Sequence, residues 1–319
     1  MKPTTVHQAE PKGRSSDSVP EHITEELRRY DIYLRDVRGL AAKTRKDLLR
    51  IAGLLLRQKF NDRLIEICEL QPGDVREFLA TQFEGHRTAS HASHMAAALR
   101  SYFRYRATRG DQTGALTAVI SSPVRWKLAT LPRALTPDEV DRLLNSFTAD
   151  LRWPKRGYAI VRCALDMGLR SCEIAHLKIT DIDWRAGTVM LRGTKSLRQD
   201  ILPLPMETGQ ALADYLQNER PPTSSPSVFI PCLGDHDRSM TAGAVRGVIR
   251  RAYRRIGLTH SRSHALRHTF ACRLVENGSS LKEVADLLRH RSLNTTLIYA
   301  KLDTPKLSAV ALPWPGSQS

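Results

Sequence analysis

Apolar residues recur at three- and four-residue spacings along most of the chain, and stretches that read as β-strand are few and short. From Ile23 onward, Leu27, Tyr30, Tyr33 and Leu34 share one helical face. A second set, Leu48, Leu49, Ile51, Leu54, Leu55 and Leu56, predicts a helix from about Ala42 to Gln58. Gln71–Pro72–Gly73–Asp74 reads as a turn and N-cap leading into a helix over Val75 to Phe83. Met95, Leu99, Tyr102, Phe103 and Tyr105 mark a fourth helix over Ser90 to Thr108. Residues 21–110 are therefore expected to form an all-helical domain, preceded by a polar tail over residues 1–20 that carries almost no apolar side chains.

Helical periodicity then fades. Residues 111–134 hold Gly, Ser, Thr and prolines with basic residues between them, and read as a linker. The next region, 135–303, opens on a clear start signal. Thr136 is placed to cap, Pro137 follows it, Glu139 completes a capping box, and Leu135 and Val140 supply the hydrophobic staple. Helices are expected over Tyr158 to Met167, ending at Gly168, and from Ser171 through Leu177. Thr188 to Leu191 and Ile201 to Leu204 read as strands joined by a polar turn, with Val228 to Ile230 as a third strand. Beyond them the pattern is helical again over Ala242 to Ile256, Ser263 to Glu276, Leu281 to Arg289 and Thr295 to Lys301, with a second capping box at Ser280 and Glu283. Residues 304–319 form a tail whose apolar patch, Val310 to Leu312 and Trp314, is broken by prolines. No internal repeat or low-complexity tract is evident. The fold class expected is mainly α with a small β-hairpin or sheet, in two domains.

Charge narrows the choice of partner. The 319 residues include 49 Lys+Arg against 33 Asp+Glu, a formal net charge of +16. Such an excess repels itself unless a polyanion offsets it, which points to nucleic acid. The basic residues are dispersed, and Arg246, Arg250, Arg251, Arg254 and Arg255 lie inside a helical segment, so a folded basic surface is expected rather than a basic arm. Cys68, Cys163, Cys172, Cys232 and Cys272 are odd in number and form no C-x-x-C pair; they read as reduced core cysteines of a cytoplasmic protein. The N-terminus lacks the apolar stretch of a signal peptide, and no run of about 18 apolar residues exists to span a membrane. There is no G-x-x-x-x-G-K-[ST] loop, so nucleotide hydrolysis has no support.

Four fragments could carry chemistry. In Ser263–His264–Ala265–Leu266–Arg267–His268, residues 264 and 267 share a helix face, placing an imidazole beside a guanidinium able to grip two phosphate oxygens. In Gly168–Leu169–Arg170–Ser171–Cys172–Glu173, Arg170 sits at a helix start, where free N–H groups attract anions, and Glu173 can orient an arginine. Lys195 lies in the hairpin turn, able to swing and donate a proton. His290 precedes Tyr299 by nine residues, and a phenol becomes a useful nucleophile only where cations and bases support its phenolate. Each fragment alone also fits ordinary surface or half-buried side chains, most readily for the hairpin lysine. A metal site at His264 and His268, with His260 nearby, would need acidic ligands that the segment lacks, and His86, His91 and His94 read as surface residues.

Taken in order, Gly-Leu-Arg-x-x-Glu, hairpin Lys, His-x-x-Arg, His and then Tyr resembles the tyrosine recombinase (phage integrase) family, including Xer, Cre and transposon-borne integrases. The resemblance covers nearly the whole chain. It implies a SAM-like helical core-binding domain followed by an α+β catalytic domain. Arg170 and Arg267 resemble the arginines that clamp the scissile phosphate, Lys195 the general acid, and His264 the histidine that handles the nucleophile's proton. His290 resembles the residue that hydrogen-bonds the phosphate, Tyr299 the nucleophile, and Glu173 the acid that buttresses the arginines. Two departures stand out: Arg289 replaces the Gly usual before His290, which puts that turn in question, and Ala265 replaces a common Asp. The resemblance implies action on double-stranded DNA as a tetramer, through a 3′-phosphotyrosyl bond and without metal, cofactor or nucleotide. A type IB topoisomerase-like relaxing enzyme and a catalytically silent DNA-binding accessory protein are the alternatives.

Overall fold

A computed structural model describes residues 19–83, 89–121, 133–192, 199–231, 233–259, 263–290 and 293–302. The chain divides into two compact units, Met1–Trp126 and Lys127–Ser319.

The first unit is helical throughout its described residues. It comprises α1 (Glu21–Ile32), continued by a π-helical turn over Tyr33–Val37, then α2 (Ala42–Phe60), α3 (Pro72–Phe83), α4 (Ala89–Thr108) and α5 (Gly114–Ala118). The apolar faces read from sequence meet in one core built on Tyr30, Ile51, Leu55, Leu56, Phe60, Phe78, Leu99, Tyr102 and Phe103. Gly53 lets α1 approach α2 closely, since a Cβ there would lie 3.1 Å from Leu27. One polar cluster is buried within this core. Glu26 accepts from the Tyr102 hydroxyl at 3.0 Å and from Arg106 at 2.8 Å, and Arg106 also donates to Asp111 at 2.7 Å. A buried carboxylate is tolerable here because it is paired with a guanidinium and takes a second donor from a phenol. Helix α5 lies in the stretch read as a linker. Leu116 and Ile120 are buried in the helical core, and Arg100 donates to the Ile120 carbonyl at 2.6 Å. Five residues are too few to show a period, which is why the sequence pattern missed the element.

The second unit begins with α6 (Pro137–Asn145), whose capping box forms as expected: the Thr136 hydroxyl accepts from the Glu139 N–H, and Glu139 accepts from the Thr136 N–H. Helix α7 (Pro154–Asp166) runs through the centre of the core, with Ala159, Ile160, Val161, Cys163, Ala164 and Leu165 all buried. Helix α8 (Ser171–His176) follows a sharp break at Gly168. A three-stranded antiparallel sheet has the order β1 (Ile182–Asp183), β2 (Thr188–Arg192), β3 (Gln199–Pro203). Val189 pairs with Leu202 and Arg192 with Gln199, so the expected hairpin is present, and Lys195 lies outside the described residues.

The third strand differs from expectation. Val228 to Ile230 is not in the sheet; its place is taken by β1. The Val228 N–H donates to Leu177 at 2.8 Å and the Ile179 N–H to Pro226 at 2.9 Å, so this apolar run is a fully buried crossing rather than a ladder. Helix α9 (Met206–Asn218), absent from the sequence reading, packs on α7 through Thr208, Ala211, Leu212 and Tyr215, and Tyr215 stacks on Phe229 at 5.4 Å. Then come α10 (Ala242–Arg255), α11 (His264–Glu276) and α12 (Leu281–Leu287), the last with the expected Ser280–Glu283 capping box. Where an α-helix was expected over Thr295 to Lys301, the chain forms two 3₁₀ turns, Leu293–Thr295 and Leu297–Leu302.

Helix α11 is buried on two sides. Ala265 and Leu266 join the main core, while Ala271, Cys272 and Val275 face α12 and the last 3₁₀ turn in a second cluster with Val284, Leu288 and Tyr299. Among the described residues no helix is long and apolar enough to cross a membrane. The described cysteines are all free thiols; Cys163 and Cys272 are buried as expected, but Cys68 is exposed and Cys172 half-buried, so these two are not core residues.

Gly168 closes the gap between α7 and α8. Its φ is +59°, and a Cβ added there would lie 2.6 Å from Phe270 and 3.0 Å from Leu288. Gly168→Ala is expected to destabilise the second unit by roughly 2–4 kcal/mol, the sum of the left-handed backbone cost and overpacking. Chemical denaturation measures it, and an unchanged unfolding midpoint contradicts this packing.

Candidate active site

Four segments converge where α7 ends and α12 ends. Helix α11 brings Arg267 inward, 5% exposed. Its two terminal nitrogens donate to the main-chain carbonyls of Gly168 and Leu288. Each of those nitrogens carries two hydrogens, so one on each is left for a further acceptor. Burial, and then the neighbouring Arg170 charge, push Arg267 down to about 9, which still leaves it cationic at neutral pH. Arg170, at the N-cap of α8, donates to the same Leu288 carbonyl at 3.4 Å. Two guanidinium groups thus meet at one carbonyl oxygen.

Glu173 holds this positive cluster together. Its carboxylate accepts from the Arg170 N–H at 2.7 Å, from the Arg170 guanidinium at 2.7 Å and from Arg289 at 2.7 Å. Burial works to raise its pKa, but the Arg289 charge and the Arg170 bonds outweigh it and hold the carboxyl below its ordinary value. Glu173, expected to orient an arginine, thus holds two, Arg170 and Arg289. Arg289 was noted only as a departure from the family pattern. Its φ of +53° is the conformation that favours glycine, so the turn keeps a glycine-like backbone while its side chain gains the bond to Glu173.

His290 follows that turn, and its Nδ1 is 2.7 Å from the hydroxyl of Thr296, which is 1% exposed. Burial, then the charges of Arg267, Arg170 and Arg289, push the imidazole down to about 4, so it is neutral at neutral pH. Tyr299 lies in the apolar cluster of α11 and α12, 2% exposed. Burial raises the phenol to about 12, while the Arg267 charge pulls the other way. Its hydroxyl lies 2.6 Å from His268 Nδ1, with ring centroids 5.8 Å apart. His264, exposed at the first turn of α11, stands one turn before His268, and its charge acts on that residue.

The structure thus brings Arg170, Glu173, Arg267, His290 and Tyr299 into one cluster, with His264 on the same helix as Arg267, while Lys195 and His260 lie outside the described residues. Sequence reading missed His268, Thr296 and the bridging role of Arg289. His268 did carry a signal, its four-residue spacing from His264, but that spacing was weighed as a metal pair. Among the described residues no three His, Cys, Asp or Glu side chains are grouped to hold a metal ion.

The left-handed backbone at Arg289 costs about 1–2 kcal/mol, which offsets much of what its bridge contributes. Arg289→Gly is therefore expected to change stability by less than about 1 kcal/mol, whereas Glu173→Gln, which removes the partner of two arginines, costs about 2–3 kcal/mol after allowance for partial exposure. Parallel denaturation curves of the two variants test this; equal losses contradict it.

Residues 133–305 match the family model described as phage integrase family. Over 302 residues the chain is 34% identical to a Sinorhizobium fredii protein named as an integrase/recombinase, y4rA, covering 94% of this chain and 73% of that one. It is 31% identical over 246 residues to tyrosine recombinase XerD of Yersinia pestis, covering 76% of this chain and 81% of XerD. Among solved structures, XerH site-specific recombinase in a post-cleavage complex with palindromic difH substrate matches with a TM-score of 0.69 at 20% identity, over 92% of this chain and 90% of XerH. A lambda integrase dimer bound to a COC′ core site matches with a TM-score of 0.67 at 19% identity, over 92% of this chain and 80% of that one. At these identities the likeness is one of fold. With the family match across residues 133–305 and a relative 34% identical over 94% of this chain, the chain belongs to the phage integrase family.

Proposed function

We propose that this protein is a site-specific DNA recombinase that cuts and rejoins strands through a 3′-phosphotyrosyl bond to Tyr299. The observation that carries the reading is the meeting of the Arg170 and Arg267 guanidinium groups at the Leu288 carbonyl, beside the Tyr299 phenol. Two adjacent, positioned guanidinium groups suit a phosphate whose negative charge grows as phosphorus becomes five-coordinate. Glu173 keeps Arg170 pointed inward and partly offsets the repulsion between the arginines. His290, neutral and bonded at Nδ1 to Thr296, is suited to donate from Nε2 to a phosphate oxygen when the Thr296 hydroxyl is the donor between them. The family resemblance supplies two further roles: Lys195 as the acid that protonates the departing 5′ oxygen, and His264 as the handler of the nucleophile's proton.

In the proposed reaction the Tyr299 oxygen attacks the scissile phosphorus, the phosphorus–5′ oxygen bond breaks, and a 5′-hydroxyl is released. A 5′-hydroxyl from a second duplex reverses the step. The energy of the phosphodiester is kept in the tyrosyl ester, so no nucleotide is consumed. XerH and lambda integrase are structurally similar proteins solved on DNA, the latter also as a tetramer on a Holliday junction, which supports double-stranded DNA as substrate and a tetramer as the working assembly. A cytoplasmic setting and a transposon-, plasmid- or phage-borne role fit the relatives named as integrases. The separate helical N-terminal unit and the family match favour recombination over a relaxing enzyme or a silent accessory protein.

DNA contact has a candidate surface in each unit. On α2, Lys43, Lys46, Arg50 and Arg57 are exposed. On α10, Arg246, Arg250, Arg251 and Arg254 are exposed, with Gly243 and Gly247 interspersed so that the helix backbone can approach a phosphate closely.

The proposal is tested with sites selected by the purified protein from random duplexes, then nicked close to the scissile phosphate so that the released fragment diffuses away. Wild type is expected to accumulate a covalent protein–DNA adduct in chelator and without nucleotide; Tyr299→Phe gives none. Absence of an adduct from wild type, or its persistence in Tyr299→Phe, overturns the proposal. Replacing both Arg250 and Arg254 by Ala is expected to lower the slope of log affinity against log salt by about two, one per lost phosphate contact. An unchanged slope removes α10 from the DNA surface.

A further inference from the structure

A nucleophilic phenol has to lose a proton as its oxygen bonds to phosphorus, and the acceptor must lie within hydrogen-bond reach. The side chain in that position is His268, whose Nδ1 is 2.6 Å from the Tyr299 oxygen. His264, the residue to which the family resemblance gives the proton, is a full turn earlier on α11. The contact is built from both sides. Ala271, Cys272, Val275, Val284 and Leu288 pack around the Tyr299 ring, leaving its hydroxyl directed at α11. His268 directly follows Arg267, which is itself fixed to two carbonyls.

We infer that His268 is the proton acceptor for Tyr299 in strand cleavage, an assignment that rests on Tyr299 being the nucleophile. As the bond between the Tyr299 oxygen and phosphorus forms, the phenolic O–H bond breaks and its proton moves to His268 Nδ1. The bond from phosphorus to the 5′ oxygen breaks, and that oxygen takes a proton from the acid assigned to Lys195. Rejoining runs the same transfers backward, His268 returning its proton to Tyr299, so no oxidant, reductant or further reactant is needed. The state of the imidazole suits this role. Burial first, then the charges of His264 and Arg267, lower its pKa, which favours the uncharged ring with a lone pair to offer. In the tautomer with its proton on Nε2, the ring accepts the phenol's hydrogen bond at Nδ1. The Arg267 charge favours the phenolate that results.

The test is single-turnover adduct formation on the nicked duplex by the full-length protein. His268→Asn places an amide near the Nδ1 position and can hydrogen-bond the phenol, but it cannot take its proton. Adduct formation is expected to fall by about 10²- to 10⁴-fold, the usual range for a lost general base, with DNA affinity unchanged. Placing difluorotyrosine, a more acidic phenol, at position 299 of His268→Asn is expected to recover much of the lost rate, because its proton no longer needs a strong acceptor. A wild-type rate in His268→Asn overturns the inference, and so does a loss that the acidic phenol fails to recover, since a purely packing role would behave that way. His268→Gln serves as the second variant. If neither variant binds DNA as wild type does, His268 is a structural residue and the inference falls. Failure of the underlying reading looks different: an adduct would persist in Tyr299→Phe.

Discussion

The buried guanidinium of Arg267 is the constraint on which the catalytic unit depends. It sits with Arg170 and Arg289 in a region poor in solvent, three like charges that would separate without compensation. Compensation comes from main-chain carbonyls at Gly168 and Leu288 and from the Glu173 carboxylate, which takes donors from both Arg170 and Arg289. These bonds tie the break between α7 and α8 to the end of α12 through α11. The remaining geometry follows. Gly168 must be a glycine to present its carbonyl in that cramped space, and Arg289 takes a left-handed turn to reach Glu173. Tyr299 then packs against the same helix, beside Ala271, Cys272 and Val275.

A cluster with more cationic than anionic groups stores electrostatic energy in the free protein, and an anion relieves it. That asymmetry is what a phosphate-transferring site requires. The positive field exists before substrate arrives, and it acts most strongly on the state with the most negative charge. Burial, reinforced by the charges of Arg267, Arg170 and Arg289, holds His290 neutral, and at Tyr299 the Arg267 charge works against the burial that raises the phenol.

Much of this was legible in the sequence where the signal is local. Both capping boxes, the long helices and the presence of the hairpin follow from spacing and turn signals, and the sequence marked Glu173 as able to orient an arginine. What was missed depends on long-range packing. Helix α5 is too short to show a period, and the α9 pattern is interrupted by polar Thr208, which is buried because Asp166 accepts its hydroxyl proton at 2.8 Å. Val228 to Ile230 looks like a strand because burial on every side produces the same apolar run. His268 and Thr296 face Tyr299 and His290 only after α11 and the 3₁₀ turns fold together, a relation that no spacing along the chain encodes.

The central claim is that Tyr299 itself carries the DNA strand. Mass spectrometry of the protease-digested protein–DNA adduct, after nuclease trimming, reads this directly on the peptide from Ser292 to Lys301. The account predicts that this peptide gains a 3′-phosphonucleotide on Tyr299, stable to the acid that cleaves phosphohistidine. A nucleotide found on any other residue, or an unmodified peptide from an adduct that has formed, would contradict it.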